Sequence, residues 1–427
     1  MSIIRKVKFI VNGGKKLKGE IDVRGSKNAA TPLIAATLLT KRPCVIKNVP
    51  LISDVLNQIK LLEEMGAEIE WLGKRSVKII NKKIDNLHIP RTLVRQMRSS
   101  ILLIGPLLAR FGEVRINTPG GCHIGTRSMD AHFDAFRQLG FEIKYNKKQD
   151  IYHLKKGNKK SPQKIALNEF SVTATENLLM FSALHPFEIE IAAAEPHIQC
   201  LGDFLIKLGA KIDGLGTHTI KVKKSINKSG GEVIQNVISD YIEAGTLMVM
   251  GAATGSDIKI NNVPVKHLIL PMLKLREFGV KMSIKGNSVL IKGSQSKLKA
   301  VKKIMVQPYP GFPADLQAPF GVLATQAEGE TLIFDTLYEG RLKYLYELDK
   351  MGAKVNIMGP HQATITGPRK LIGKNVESID LRAGATLIIA ALVAKGESIL
   401  HQAEQIDRGY EMFEERLSKI GADIKRE

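Results

Sequence analysis

One phrase recurs six times along the 427 residues, and it restricts the fold more than any other feature of the chain. A helical run ends on an apolar residue, a glycine follows, and an alternating strand begins. It reads Glu64-Met65-Gly66-Ala67-Glu68-Ile69, and it returns at Gly140, Gly209, Gly279, Gly352 and Gly421. The glycines are 74, 69, 70, 73 and 69 residues apart. Helices commonly end on a left-handed residue, where a side chain is costly and glycine is tolerated. Further upstream lie helices of small and apolar residues, such as Ala29 to Leu39, Ser99 to Ala109, Glu176 to Leu184, Ala244 to Ala253 and Ala383 to Lys395. A turn, a strand and an amphipathic helix then lead to the repeated glycine. Each unit is roughly a βαβαββ module with helices apolar enough to be buried. The period is too long for the common solenoids. Six modules predict an α/β chain of two domains with three modules each.

Composition narrows the class. Hydrophobic residues at 44% and charged residues at 25% are ordinary globular usage and exclude disorder. The longest apolar stretch, Ala385 to Ala394, falls short of the ~18 residues a membrane helix needs. The first residues carry no apolar signal segment. Cys44, Cys122 and Cys200 are odd in number and far apart, so neither a disulfide framework nor a metal knuckle is expected. The expectation is a cytoplasmic chain with no metal and no cofactor. Net charge is +21, from 63 basic and 42 acidic residues, and only 18 of the basic ones are arginine. That excess is either a solvated lysine-rich surface or an attractor for polyanionic small molecules. No RNA-recognition aromatics, zinc-finger spacing or basic heptads accompany it, so no nucleic acid, membrane or obligatory protein partner is expected.

Three segments can carry chemistry. Arg24-Gly25-Ser26-Lys27-Asn28 is a strand-to-helix turn; its N–H groups, the helix dipole and Lys27 favour an anion, although a lysine there can also be simply solvated. Gly120-Gly121-Cys122-His123-Ile124-Gly125-Thr126-Arg127 sets a cysteine in a glycine-rich, electropositive loop, where a thiol can serve as nucleophile or general acid. Asp240, Asp315 and Asp380 open three corresponding helices, each either an N-cap or a general base. Arg98, Arg341, Arg382 and Arg408 are arginines in a lysine-rich chain, as bidentate phosphate or carboxylate contacts require. Glu195-Pro196-His197 reads as a polar turn.

Together these phrases resemble the UDP-N-acetylglucosamine 1-carboxyvinyltransferase family of enolpyruvyl transferases, from Gly25-Ser26-Lys27-Asn28 to Asp407-Arg408-Gly409-Tyr410-Glu411. The glycine-flanked Cys122 with Arg127 is the most specific match, followed by Phe312-Pro313-Ala314-Asp315 and Asp380-Leu381-Arg382. The resemblance implies two inside-out α/β domains of three pseudo-symmetric units, 27–238 and 1–26 plus 239–427, with the active site in the cleft between them. It implies enolpyruvyl transfer from phosphoenolpyruvate to UDP-N-acetylglucosamine. Lys27, Arg127 and Arg408 would hold the phosphate, and Arg341 and Arg382 the carboxylate. Asn28 would help place the substrates, Asp315 would act as general base and Cys122 as general acid, open to alkylation by fosfomycin. Arg98, Arg127, Ser128, Met129, Asp130, Ala131, Ser171, Val172, Thr173 and Leu337 would line the nucleotide-sugar site. The chain departs from the family pattern at Ser128, where proline is common, and at Tyr241, His197 and Gly340.

Overall fold

The computed structural model describes residues 7–120, 128–227 and 229–427, which form two compact units. One comprises 7–24 and 239–427; the other comprises the described residues of 25–238. Each has its own hydrophobic core. The six repeated glycines, Gly66, Gly140, Gly209, Gly279, Gly352 and Gly421, all have φ between 82° and 110°, so the recurring phrase is a helix stop followed by a strand.

Among the described residues the strands form five sheets of four and one of three. In each four-stranded sheet one edge strand runs parallel to its neighbour and the rest are antiparallel. Val233–Asn236, for example, lies parallel to Cys44–Lys47, which pairs antiparallel with Ser76–Ile80, and that in turn with Glu68–Gly73. In the three-stranded sheet the edge position is occupied by an irregular segment, where Asn86 Nδ2 donates to the Glu113 carbonyl at 2.7 Å. The sixth module is completed from the other end of the chain: Phe9–Asn12 lies antiparallel between Glu397–His401 and Asp423–Arg426. A buried ion pair anchors the following segment. Arg416 Nη1 meets Glu243 Oε1 at 2.5 Å, while Arg416 Nη2 donates to the Asp22 carbonyl and Glu243 Oε2 accepts from Arg24 N.

Every module contributes one helix to the interior of its unit. All 13 residues of Tyr241–Ala253 are buried, as is every residue but the last of Leu381–Val393. Such helices pack closely only if some positions are small. A Cβ on Gly245 would lie 2.6 Å from Leu316, and one on Gly384 would lie 2.2 Å from Ser378 Oγ. Close approach there offsets the roughly 1 kcal/mol that glycine costs in a helix. The run expected as one helix over Ser99 to Ala109 is instead a 3₁₀ segment, Arg98–Leu103, followed by the α-helix Ile104–Phe111. Pro106 offers no N–H to the preceding turn, and Ser100 Oγ donates back to the Val94 and Met97 carbonyls. Glu195-Pro196-His197, expected as a polar turn, opens the helix Pro196–Lys207 with proline in its first turn.

Candidate active site

A wholly buried helix can expose polar backbone only at its ends, and the unit containing 239–427 places its polar side chains there. Asp240 accepts from Ile242 N and Glu243 N, at 2.8 and 3.3 Å, and Asp380 from Arg382 N and Ala383 N, at 2.7 and 3.0 Å. Both are N-caps. Asp315 is not: the cap of Ala314–Gln326 is Pro313, and Asp315 lies in the first turn. Its two oxygens meet Arg341 Nη1 at 2.7 Å and Arg382 Nε at 3.0 Å. The side chains of Arg382 and Arg341 are 5% and 9% exposed and that of Asp315 22%, so the carboxylate is the member solvent reaches most.

The guanidinium groups remain charged despite burial. Desolvation opposes the charge on Arg382, but the Tyr410 hydroxyl, Asp315 and Asp240 outweigh it and shift the group upward. For Arg341 burial is likewise outweighed by Asp315, Asp380 and Tyr338. Arg341 Nε and Arg382 Nη1 are buried with no hydrogen-bond partner among the described residues. Such donors are costly to leave unmet, and an anionic ligand would satisfy them.

Arg382 is held from behind by residues that sequence reasoning passed over. It lies over the Tyr410 ring, 5.4 Å from the centroid, and the Tyr410 oxygen favours its charge. The Thr246 hydroxyl donates to the Ile242 carbonyl at 2.9 Å, so at its 3.1 Å contact with Tyr410 it accepts. The hydrogen bonds therefore run in one direction, from Tyr410 through Thr246 to Ile242. Arg408, half-buried, donates to Gln405 Oε1 at 3.2 Å. Leu337 is 42% exposed, on a turn in which Asp335 Oδ1 accepts from Leu337 N and Tyr338 N. Gly340 has φ −98°, a value open to any residue.

The other unit carries the remaining candidates. Lys27 begins the helix Lys27–Ala36, and its Nζ meets Asp54 Oδ2 at 2.6 Å. Lys27 is 14% exposed, so it is not a solvated surface lysine. Asp54, in the first turn of Ser53–Glu64, was missed because an acidic residue there is generic. Gly25 precedes this turn because a Cβ would lie 2.0 Å from the Asn48 carbonyl oxygen; Asn28 is half-buried.

Arg98 Nη2 donates to the Ser128 carbonyl at 3.2 Å, and Ser128 Oγ bonds the Asp130 carboxylate at the start of Asp130–Gln138. Met129 and Ala131 are buried. Ser171 caps Val172–Ser182, whose Thr173 meets His132 Nε2 at 3.0 Å. Burial, with Arg98 adding to it, pushes His132 down to about 3, so the ring is neutral. Burial also raises the Glu176 carboxyl well above the usual range, and Glu195 adds to the shift. Cys44 and Cys200 are buried. Cys122 and Arg127 lie outside the described residues. Among the described residues no His, Cys, Asp and Glu cluster is arranged to hold a metal, and no helix is long and apolar enough to cross a membrane.

Over residues 11–417 the chain matches the family described as EPSP synthase (3-phosphoshikimate 1-carboxyvinyltransferase). It is 40% identical over 421 residues to UDP-N-acetylglucosamine 1-carboxyvinyltransferase of Coxiella burnetii, covering 98% of this chain and 96% of the relative. The Geotalea uraniireducens protein of the same name is 41% identical, with 98% and 99% covered. Among solved structures, the enolpyruvyl transferase NikO from Streptomyces tendae superposes with a TM-score of 0.89 at 22% identity, covering 99% of each chain. EPSP synthase from Acinetobacter baumannii superposes at 0.75 and 19% identity, with 99% and 100% covered. The fold is thus that of the enolpyruvyl transferases, and the chain belongs to that family in its UDP-N-acetylglucosamine 1-carboxyvinyltransferase branch.

Proposed function

We propose that the chain transfers the enolpyruvyl group of phosphoenolpyruvate to the 3'-hydroxyl of UDP-N-acetylglucosamine and releases phosphate, opening peptidoglycan precursor synthesis. The observation that carries this reading is the Asp315 carboxylate between two buried guanidinium groups, each with an unmet donor. A base beside paired anion holders suits a reaction in which a hydroxyl adds to a small polyanion. The relatives at about 40% identity supply the acceptor.

In this reading Arg341 and Arg382 take the substrate carboxylate on their free donors. Lys27, Arg127 and Arg408 hold the phosphate, and Asn28 helps place both substrates. Arg98, the stretch from Arg127 through Ser128, Met129 and Asp130 to Ala131, Ser171, Val172, Thr173 and Leu337 line the nucleotide-sugar site. Asp315 accepts the 3'-hydroxyl proton as the sugar oxygen bonds to C2 of phosphoenolpyruvate, and Cys122 gives a proton to the methylene carbon. C2 then carries the new ether, the carboxylate and the phosphate. In the second step the methyl carbon returns a proton to the Cys122 thiolate, the C2–O bond to phosphate breaks as Asp315 gives its proton to the leaving phosphate, and enol ether and inorganic phosphate result. The adduct is polyanionic, so fixed lysine and arginine charges stabilise it more than either substrate.

The test is phosphate release from phosphoenolpyruvate with UDP-N-acetylglucosamine, with shikimate-3-phosphate and no acceptor in parallel. Release only with the nucleotide sugar, with a product heavier by one enolpyruvyl unit, is expected. Release with shikimate-3-phosphate alone, or silence from folded protein with every acceptor, would overturn the reading.

A further inference from the structure

His132 is buried at the start of Asp130–Gln138, and four hydrogen bonds at and around it fix more than its position. The backbone N–H of Gly105 meets Asn177 Oδ1 at 2.6 Å. A backbone N–H can only donate, so that atom is the amide oxygen, and the other end of Asn177 is its NH₂. This NH₂ donates to the Ile101 carbonyl at 3.0 Å and meets His132 Nδ1 at 3.0 Å. His132 Nδ1 therefore accepts. The neutral ring carries its proton on Nε2, and Nε2 lies 3.0 Å from Thr173 Oγ1. Thr173 accepts from His132, and its hydroxyl proton must point elsewhere. That hydroxyl makes no other hydrogen bond among the described residues, and Thr173 is half-exposed at the helix N-terminus.

We infer that His132 is a positioning residue that sets the Thr173 hydroxyl as an outward hydrogen-bond donor to an acceptor oxygen of the uridine nucleotide. The inference deepens the proposed function and rests on its reading of the nucleotide-sugar site. A threonine hydroxyl has one proton, which ordinarily rotates to whichever acceptor suits it. Here the Gly105–Asn177–His132 relay occupies one lone pair and turns the proton away from the ring, so the position presents a donor to an acceptor oxygen. The acceptor is a uracil carbonyl or a phosphate oxygen, which share this chemistry.

The test is calorimetric binding of UDP-N-acetylglucosamine, UDP and uridine to the full chain. Thr173→Val, which keeps the branched shape and loses the hydroxyl, is expected to weaken UDP-N-acetylglucosamine about tenfold, as for one lost hydrogen bond. Thr173→Ser should stay within about twofold of the parent. His132→Asn ends too short to donate to Thr173 and should weaken binding several-fold, whereas His132→Gln, whose amide can reach as Nε2 does, should recover most of it. Combined with Thr173→Val, His132→Asn should add nothing further, the signature of action through one group. Loss that extends to uridine assigns the base oxygen, and loss confined to UDP and the sugar nucleotide assigns phosphate. Equal affinity of the parent and Thr173→Val, or additive losses in the double variant, would overturn the inference. A folded parent that binds none of the three ligands would instead overturn the proposed function.

Discussion

Tyr410→Phe isolates one hydroxyl in the chain that holds Arg382. The substitution keeps the ring and hence the cation contact at 5.4 Å, but removes the hydroxyl oxygen that favours the guanidinium charge. Thr246 loses little, because its own proton still reaches the Ile242 carbonyl. The cost falls on Arg382, which is buried and already has Nη1 without a partner. A polar contact with a buried charged group contributes about 1.5–3 kcal/mol, because a dry site offers no water in its place. With a urea slope of about 1–3 kcal/mol per molar, the unfolding midpoint of this unit should fall by roughly 1 M. Arg382 is also proposed to hold the carboxylate of phosphoenolpyruvate. Its looser guanidinium should raise KM for phosphoenolpyruvate by about tenfold, the equivalent of ~1.4 kcal/mol, and leave KM for UDP-N-acetylglucosamine unchanged. Urea melts and initial rates with each substrate varied read both effects. An unchanged midpoint together with an unchanged phosphoenolpyruvate KM would refute the support of Arg382 by Tyr410, and equal loss for both substrates would refute the specific role of Arg382.

Four further outcomes are expected. Glu176 is protonated when buried, so above pH 4.5 the unfolded chain binds fewer protons than the folded one, and stability falls as pH rises toward the folded value; Glu176→Gln should therefore stabilise more at pH 8 than at pH 5 in thermal melts. Arg416→Met strands the buried Glu243 carboxylate and should cost about 3–5 kcal/mol by denaturant titration. Asp315→Asn should lower kcat by at least ~100-fold, as for loss of a general base, while calorimetry still detects phosphoenolpyruvate. Fosfomycin should leave a single adduct, at Cys122, by peptide mass spectrometry, because burial pushes Cys44 up to about 12 and also raises Cys200.

The module boundaries were legible because each is written locally: a glycine at positive φ ends each amphipathic helix whatever it packs against. What was not legible depended on partners far along the chain. The last module borrows Phe9–Asn12, and no pattern near residue 400 announces this. Asp54 beside Lys27, and the pairing of Gly105, Asn177 and His132, required elements brought together only by the fold. Asp240, Asp315 and Asp380 look alike in sequence, three acids at three helix starts, and weighing cap against base for all three together could not separate them. The structure separates them through one residue. Where the repeat keeps its cap, Asp240 and Asp380 spend their oxygens on backbone N–H groups. At the third helix Pro313 holds the cap position and makes no side-chain cap bond, while the acid falls within the first turn, its oxygens turned to Arg341 and Arg382. Repetition builds a buried scaffold whose polar groups gather at helix starts. Among the three such helices of the unit containing 239–427, the proposed chemistry sits at the one that lacks the side-chain cap, as local rules are expected to fail at functional positions.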